Sequence, residues 1–548
     1  MTSAARSIFL RGWILGGLAL ISFGFAQKIP PRLNIPTGQY NRRRTGADLH
    51  ETRLTPANVN SRDFGKLFSL PADGQVYAQP LYLSHLFLPG HGYRNVIFVA
   101  TEGDSVYAFD AGGKTRKPFW QVHFTDPARG ITTVPASDLN CDQITPQVGI
   151  TATPVISPRR RALYVVSRTR IATAHGVRYL QQLHALDLAT GRELFGGPVT
   201  IAASAPGTGD GSRNGRVYFD ARRNNARAAL LLSRGQVYIA FASPCDAIPY
   251  HGWILAYSAA TLRQTAVFTP SPDGNDGGIW QSGAGLAAGH AGHIYAAIGN
   301  GAFDAAAHPP RPDYGDSVLR LEYQAGRLAV LDFFTPYNHH ALNLRDGDLG
   351  SGGPVLLPGK LLEQTGKGGT IYLLNRNHLG GAGAGQDQVV ESLPHAIGGM
   401  WGNPAYWNGN LYFAPAGGRM RQFQLRNGKI AAQPAAETKT KFYYPGATPV
   451  VSANGHRDGI VWALQLGAYK ASGFDQPPVL RAYSAINIGR QLYSSRENAR
   501  RDTPGGEVKF ASPLVAAGRV YVPTQNGVSV YGLLPHATLN ARRKPLQQ

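Results

Sequence analysis

Between Gly277 and Asn375 the chain carries an indole (Trp280), a side-chain amide (Asn300), two carboxylates (Asp346 and Asp348) and an ammonium (Lys367). Carboxylates and ammonium groups move protons and hold developing charge, and a ring face or an amide can seat a ligand beside them. The stretches that hold them are GGIWQSGAG (277–285), IGNGAFD (298–304), TPYNHHALNLRDGDLG (335–350) and GKGGTIYLLNR (366–376). Two apolar pieces, HIYAAIG (293–299) and TIYLLN (370–375), read as strands, and the polar groups fall beside strand ends or in long loops. That is where a β scaffold presents function. Each residue also has a plain structural reading. Trp280 could pack between sheets, Asn300 could serve a turn between two glycines, Asp346 and Asp348 could belong to a solvated loop, and Lys367 could be a turn lysine.

The elements that must position these groups recur along the chain. A turn residue, an apolar residue, an aromatic and a short β-rich run appear as NVIFVA (95–100), ALYVVS (162–167), QVYIAF (236–241) and HIYAAIG (293–299). The pattern returns as NLYFAP (410–415), GIVWAL (459–464) and RVYVPT (519–524). A second strand follows each copy, for example SVYAFD (105–110), WILAYS (253–258) and GVSVYG (527–532). One further unit is irregular, with PVLLPG (354–359) expected as its first strand and TIYLLNRNHLGG (370–381) as its second. Each unit is too small to bury its own core. Repeating such units around a ring gives an all-β, eight-bladed β-propeller over about residues 65–534. Separate sandwich domains would need linkers, and the chain shows no such break.

Gly 66 and Pro 38 in 548 residues, with charged residues at only 16%, suit many short strands and tight turns and argue against coiled coil or general disorder. The net charge is +21, with clusters at Arg42-Arg43-Arg44, Arg159-Arg160-Arg161 and Arg542-Arg543-Lys544. No nucleic-acid-reading module concentrates that charge, so it reads as a solvated basic surface or as attraction to an anionic envelope or acidic protein partner. Residues 1–26 read as a secretory signal: Arg6 and Arg11, the apolar run from Trp13 to Phe25, and the small-x-small site Gly24-Phe25-Ala26. That run is shorter than a membrane span of about 20 residues. The expectation is a periplasmic or secreted protein with no membrane span after cleavage, a polar lead-in over 27–64 and a basic tail over 535–548. The only cysteines, Cys141 and Cys245, fall in loops expected on one face of neighbouring units, and spacing does not decide whether they pair.

The turn ALDLATGRELF (185–195) resembles the tryptophan-docking motif of the quinoprotein alcohol dehydrogenase propellers, with Phe195 in the place of tryptophan. AFDAGGKTRKPFW (108–120) is a stretched version that keeps Asp110 and Trp120, and AYSAATL (256–262) keeps only the alanine and threonine. In such a motif the Asp accepts turn amides and the terminal aromatic packs between neighbouring units.

The resemblance implies a site for pyrroloquinoline quinone and Ca²⁺ on the propeller axis. GGIW places Trp280 as the floor under the quinone, IGNG places Asn300 as a calcium ligand, and RDGD offers Asp346 or Asp348 as the general base, with Asp346 preferred. GKGGTIYLLNR places Lys367 against the quinone oxygens. SPCDAIPYHGW (243–253) puts Asp246, a shorter carboxylate, where the family has a calcium-binding glutamate. LNCDQITPQVG (139–149) departs further: Asn140 replaces the first of two adjacent cysteines, which rules out a vicinal disulfide, and Val148 stands in the place of an arginine. Two readings result. One is an exported dehydrogenase of alcohols or sugars that passes electrons from a small-molecule substrate to an external acceptor. The other is a non-catalytic propeller that binds a protein or envelope polymer.

Overall fold

The computed structural model describes residues 33–467 and 477–535, and residues 1–26, read above as a secretory signal, and most of the basic tail lie outside them. The described chain is mostly β. Eight antiparallel sheets each contain four strands paired in sequence. The first runs Leu81–Leu88, Gly92–Thr101, Ser105–Asp110 and Trp120–His123. The third runs Leu231–Ser233, Gln236–Ala242, Trp253–Ser258 and Gln264–Phe268. In the eighth, Leu514–Ala516, Arg519–Thr524 and Gly527–Leu533 are completed by Phe64–Pro71 from the start of the chain.

One core cluster packs the first sheet on the second through Phe98, Val106, Leu163 and Leu186, and another packs the second on the third through Tyr164, Leu183, Ile239 and Trp253. The series continues sheet by sheet to a cluster that joins the seventh (Ile460, Trp462), the eighth (Tyr521, Val530) and the first (Ile97, Phe109). The alternating strands therefore bury both faces, one against each neighbour.

The irregular fifth sheet corrects the sequence reading. Its strands are Val355–Leu356, Leu361–Gln364, Ile371–Asn375 and Glu391–Leu393. The partner of TIYLLN is Leu361–Gln364, and PVLLPG forms the strand before it. The sequence hid this strand because it buries polar side chains: Glu363 and Gln364 are both fully buried, and Thr365 donates to the Glu363 carboxylate at 2.6 Å. Burial pushes Glu363 up to about 8.

The docking turns also differ from expectation. Asp187 accepts the amides of Ala189 and Thr190 as its motif requires, but Phe195 remains exposed. The packing role falls to Trp120, whose indole donates to Leu188 O at 3.0 Å across the first sheet boundary. Gly191 is required beneath it, since a Cβ there would lie 2.7 Å from the Trp120 ring.

The lead-in is not a solvated arm. In turn, Leu33 O, Pro36 O, Arg42 O, Arg43 O, Thr45 O and Gly46 O accept backbone amides from Ser84, Ile156, Ala288, Leu356, Tyr406 and Val451, which belong to six different sheets. Arg44 reaches the third sheet through Ala229 O and Leu230 O, and Tyr40 accepts from Val515 N in the eighth. This segment thus touches the first strand of seven of the eight sheets and the residues just ahead of it in the third. Arg44, read in sequence as part of a basic surface, is fully buried, and donation to Leu286 O, Gly38 O and Thr37 replaces the water it loses.

Candidate functional site

In a four-stranded antiparallel sheet, the loop before the first strand and the loop between the second and third strands emerge at the same end. Loops of these two kinds surround a cavity of about 280 Å³ lined by Trp280, Asp246, Asp346, Asp348 and Lys367, with further walls from Trp401, Tyr444, Phe510 and Arg227. The sequence-predicted carboxylates, lysine and indole therefore share one pocket. Asn300 is not in its wall but stands directly behind it. Its backbone N–H donates to Asp348 Oδ1 at 2.7 Å and its Nδ2 to Asp346 Oδ1 at 3.1 Å.

Glycines allow this close packing. A Cβ on Gly299 would lie 2.4 Å from Asp348 Oδ1 and 2.8 Å from Trp280 Cδ1, and one on Gly366 would lie 2.2 Å from Asp348 O. The small residues of IGNG and TGKGG are thus steric requirements of the pocket as well as turn formers.

Lys367 Nζ lies 2.5 Å from Asp346 Oδ1 and 2.6 Å from Asp348 Oδ2. The two carboxylates differ in setting. The Asp348 side chain is 6% exposed and both of its oxygens are engaged, whereas Asp346 is 70% exposed and its Oδ2 has no partner among the described residues. Burial pushes the Asp348 carboxyl above its usual range despite the opposing pull of Lys367. Burial also works against the Lys367 charge, but the carboxylates outweigh it and hold the ammonium above its ordinary value. Asp346 has φ +55°, a left-handed conformation that Asp adopts more readily than most side-chain-bearing residues.

Asp246 sits at the rim. It accepts from Tyr250 OH at 2.9 Å, and although solvent reaches it, the surrounding protein pushes its carboxyl up. Its neighbour Cys245 is bonded to Cys141, with the Cα atoms 5.6 Å apart, so the loop that carries Asp246 is tied to the 139–149 loop. The pairing that the sequence left open is therefore made.

A flat aromatic ligand fits these walls: Trp280 offers a ring face, and Trp401 and Tyr444 form an edge-to-face corner with centroids 5.0 Å apart. For a calcium ion the donors do not converge. Asn300 Oδ1 is a buried acceptor with no partner, but no group of three or more Asp, Glu, His or Cys side chains is disposed around one cation position among the described residues. The Lys367 ammonium already lies between Asp346 and Asp348. Sequence reasoning missed Arg227, Trp401, Tyr444 and Phe510. Each lies in a loop without a repeat pattern, and only the fold brings them to Trp280.

No protein-family profile and no curated protein sequence matches the chain. Solved structures share its architecture. The quinohemoprotein alcohol dehydrogenase ADHIIG from Pseudomonas putida HK5 superposes with TM-score 0.56 at 13% identity, over 91% of this chain and 80% of that one. A europium-containing methanol dehydrogenase gives 0.55 at 13% identity, over 90% of each chain. BamB from Moraxella catarrhalis is a weaker match, at 0.47 and 12% over 86% of this chain and 98% of that one. At such identities the likeness extends to a propeller-like fold and no further.

Proposed function

We propose that the eight sheets are the blades of one closed propeller and that its axial cavity binds pyrroloquinoline quinone in a dehydrogenase of alcohols or sugars. The observation that carries this reading is the convergence of Trp280, Asp346, Asp348 and Lys367, drawn from three separate loops, on one pocket with aromatic walls. Two of the structures sharing the fold are alcohol and methanol dehydrogenases, which agrees with it.

Bound there, the quinone would supply the two-electron acceptor of the reaction. The chain's own residues would do the rest. Trp280 gives the ring a flat, apolar seat. Asp346, with one oxygen uncommitted, takes the proton of the substrate hydroxyl. Lys367 pairs with that carboxylate and stabilises negative charge developing beside it. Asp348, both oxygens engaged, fixes the Lys367 ammonium and the Asn300 backbone. No step is assigned to calcium, because its donors are not assembled in the described residues.

The disulfide and the signal-like segment 1–26 support an oxidising compartment outside the cytosol. Among the described residues no helix is long and apolar enough to cross a membrane. Purified protein incubated with the quinone, with and without Ca²⁺, should reduce an artificial electron acceptor when given an alcohol or a sugar, and Asp346→Asn should not. If wild-type protein reduces no acceptor across such a panel, the enzyme reading is lost and the binding-scaffold reading replaces it.

A further inference from the structure

A second pole of charge lies in the same cavity. Arg227 follows the short strand Asn225–Ala226 at the edge of the third sheet. Its guanidinium carbon lies 4.5 Å from the Phe510 ring centroid and 5.9 Å from that of Trp280, and it makes no hydrogen bond or ion pair with any described residue. Burial lowers its pKa, and the acids Glu102 and Asp246 influence it only from a distance. Beside it, Lys509 is fully buried, donates to Gln143 Oε1, and places its ammonium 4.9 Å from the Tyr444 centroid and 5.6 Å from that of Phe510. Burial first and Arg227 second push Lys509 down to about 7.

Arg227 in the cavity wall and Lys509 buried behind it disfavour each other's charge, and ring faces replace only part of the hydration that a guanidinium gives up. A cation kept in a pocket with its donors unused is a recognition group awaiting an anion. The planar fork of arginine matches a carboxylate, and the flanking rings favour one carried on a flat aromatic frame.

We infer that Arg227 is the recognition group for a ring carboxylate of the bound ligand, with Lys509 reinforcing the same pole. The inference rests on the quinone reading, since pyrroloquinoline quinone is a planar tricarboxylate. It also answers the departure at Val148, which is buried where the resemblance would put an arginine. The missing cation is supplied by a different loop, so the cavity has a carboxylate-binding pole at Arg227 and a proton-handling pole at Asp346 and Lys367.

The test is an equilibrium titration followed by tryptophan quenching, with pyrroloquinoline quinone and its trimethyl ester as probes of the wild-type, Arg227→Gln and Arg227→Lys proteins. Wild-type protein should bind the acid about 10- to 100-fold more tightly than the ester, the range expected for a charge-assisted hydrogen bond. Arg227→Gln should lose a similar factor for the acid and little for the ester, and Arg227→Lys should fall between. If the wild type binds the acid but Arg227→Gln binds it equally well, the assignment of Arg227 is wrong and the quinone reading stands. If the wild type binds neither probe, both fail together. Should Arg227→Gln not fold, the wild-type comparison decides, and equal affinity for acid and ester overturns the inference.

Discussion

The second sheet and the candidate cavity each hold a chain of acid, base and polar groups, and they differ in what surrounds them. In the sheet, Ser167 Oγ lies 2.9 Å from His184 Nε2, and His184 Nδ1 lies 2.5 Å from Glu193 Oε1. Those types in that order suggest a hydrolase triad. Yet Ser167 is 0% and His184 3% exposed, and Phe124 stacks on the imidazole with centroids 3.8 Å apart. No substrate carbonyl can reach the serine, and each ring nitrogen already has its partner. At the cavity, Asp346 retains an open oxygen and Arg227 an unused fork, and behind its wall Asn300 keeps a buried oxygen without a partner. Satisfied polar chains hold sheets together, whereas unspent bonding capacity facing a cavity marks a site.

The largest expected effect separates the two clusters by activity. Asp346→Asn should lower kcat for the quinone-loaded protein by about 10²- to 10⁴-fold, the usual worth of a general base. Its melting temperature should barely move, because the side chain is mostly exposed. Ser167→Ala should leave kcat unchanged. Equal losses in the two variants would erase the distinction.

Lys367→Met tests how the cavity balances its charge. It strands the Asp348 carboxylate, and the expected loss of stability is about 1–3 kcal/mol, less than for a fully buried pair because the lysine side chain is 20% exposed. The pH dependence has a definite sign. Asp348 is already held above its usual range, and without Lys367 it rises further. The loss relative to wild type should therefore be absent at low pH, where Asp348 is protonated in both proteins, and should grow as pH rises through its raised pKa. Denaturant melts from pH 4 to 8 read this directly, and a pH-independent difference would contradict it.

The smallest effect belongs to the sheet. Glu193→Gln, which keeps the shape but weakens the bond to His184, should cost about 1 kcal/mol in stability with kcat and KM unchanged. A change in KM would mean that this cluster communicates with the cavity.

The repeat was readable because strands buried on both faces, such as NVIFVA and GIVWAL, are nearly continuous apolar runs. It failed at Leu361–Gln364, where buried Glu363 and Gln364 interrupt the pattern. The lead-in was unreadable for a different reason. Arg42-Arg43-Arg44 looks solvated in sequence, and only the fold brings Arg44 the carbonyls of Leu286 and Leu230, just ahead of the first strands of the fourth and third sheets, beside that of Gly38 in the lead-in itself. In the candidate site, Trp280, Asp346, Asp348 and Lys367 could be singled out through short motifs. Arg227 and Phe510 sit in unpatterned loops far apart in sequence and meet only through the fold.

The central claim is that the quinone sits against Trp280 in the axial cavity. Titrating wild-type and Trp280→Phe protein with pyrroloquinoline quinone while following tryptophan fluorescence tests it most directly. The account predicts saturable quenching at one equivalent per chain in the wild type, and a clearly smaller amplitude with weaker affinity in Trp280→Phe. No saturable quenching in the wild type, or undiminished quenching in the variant, would contradict it.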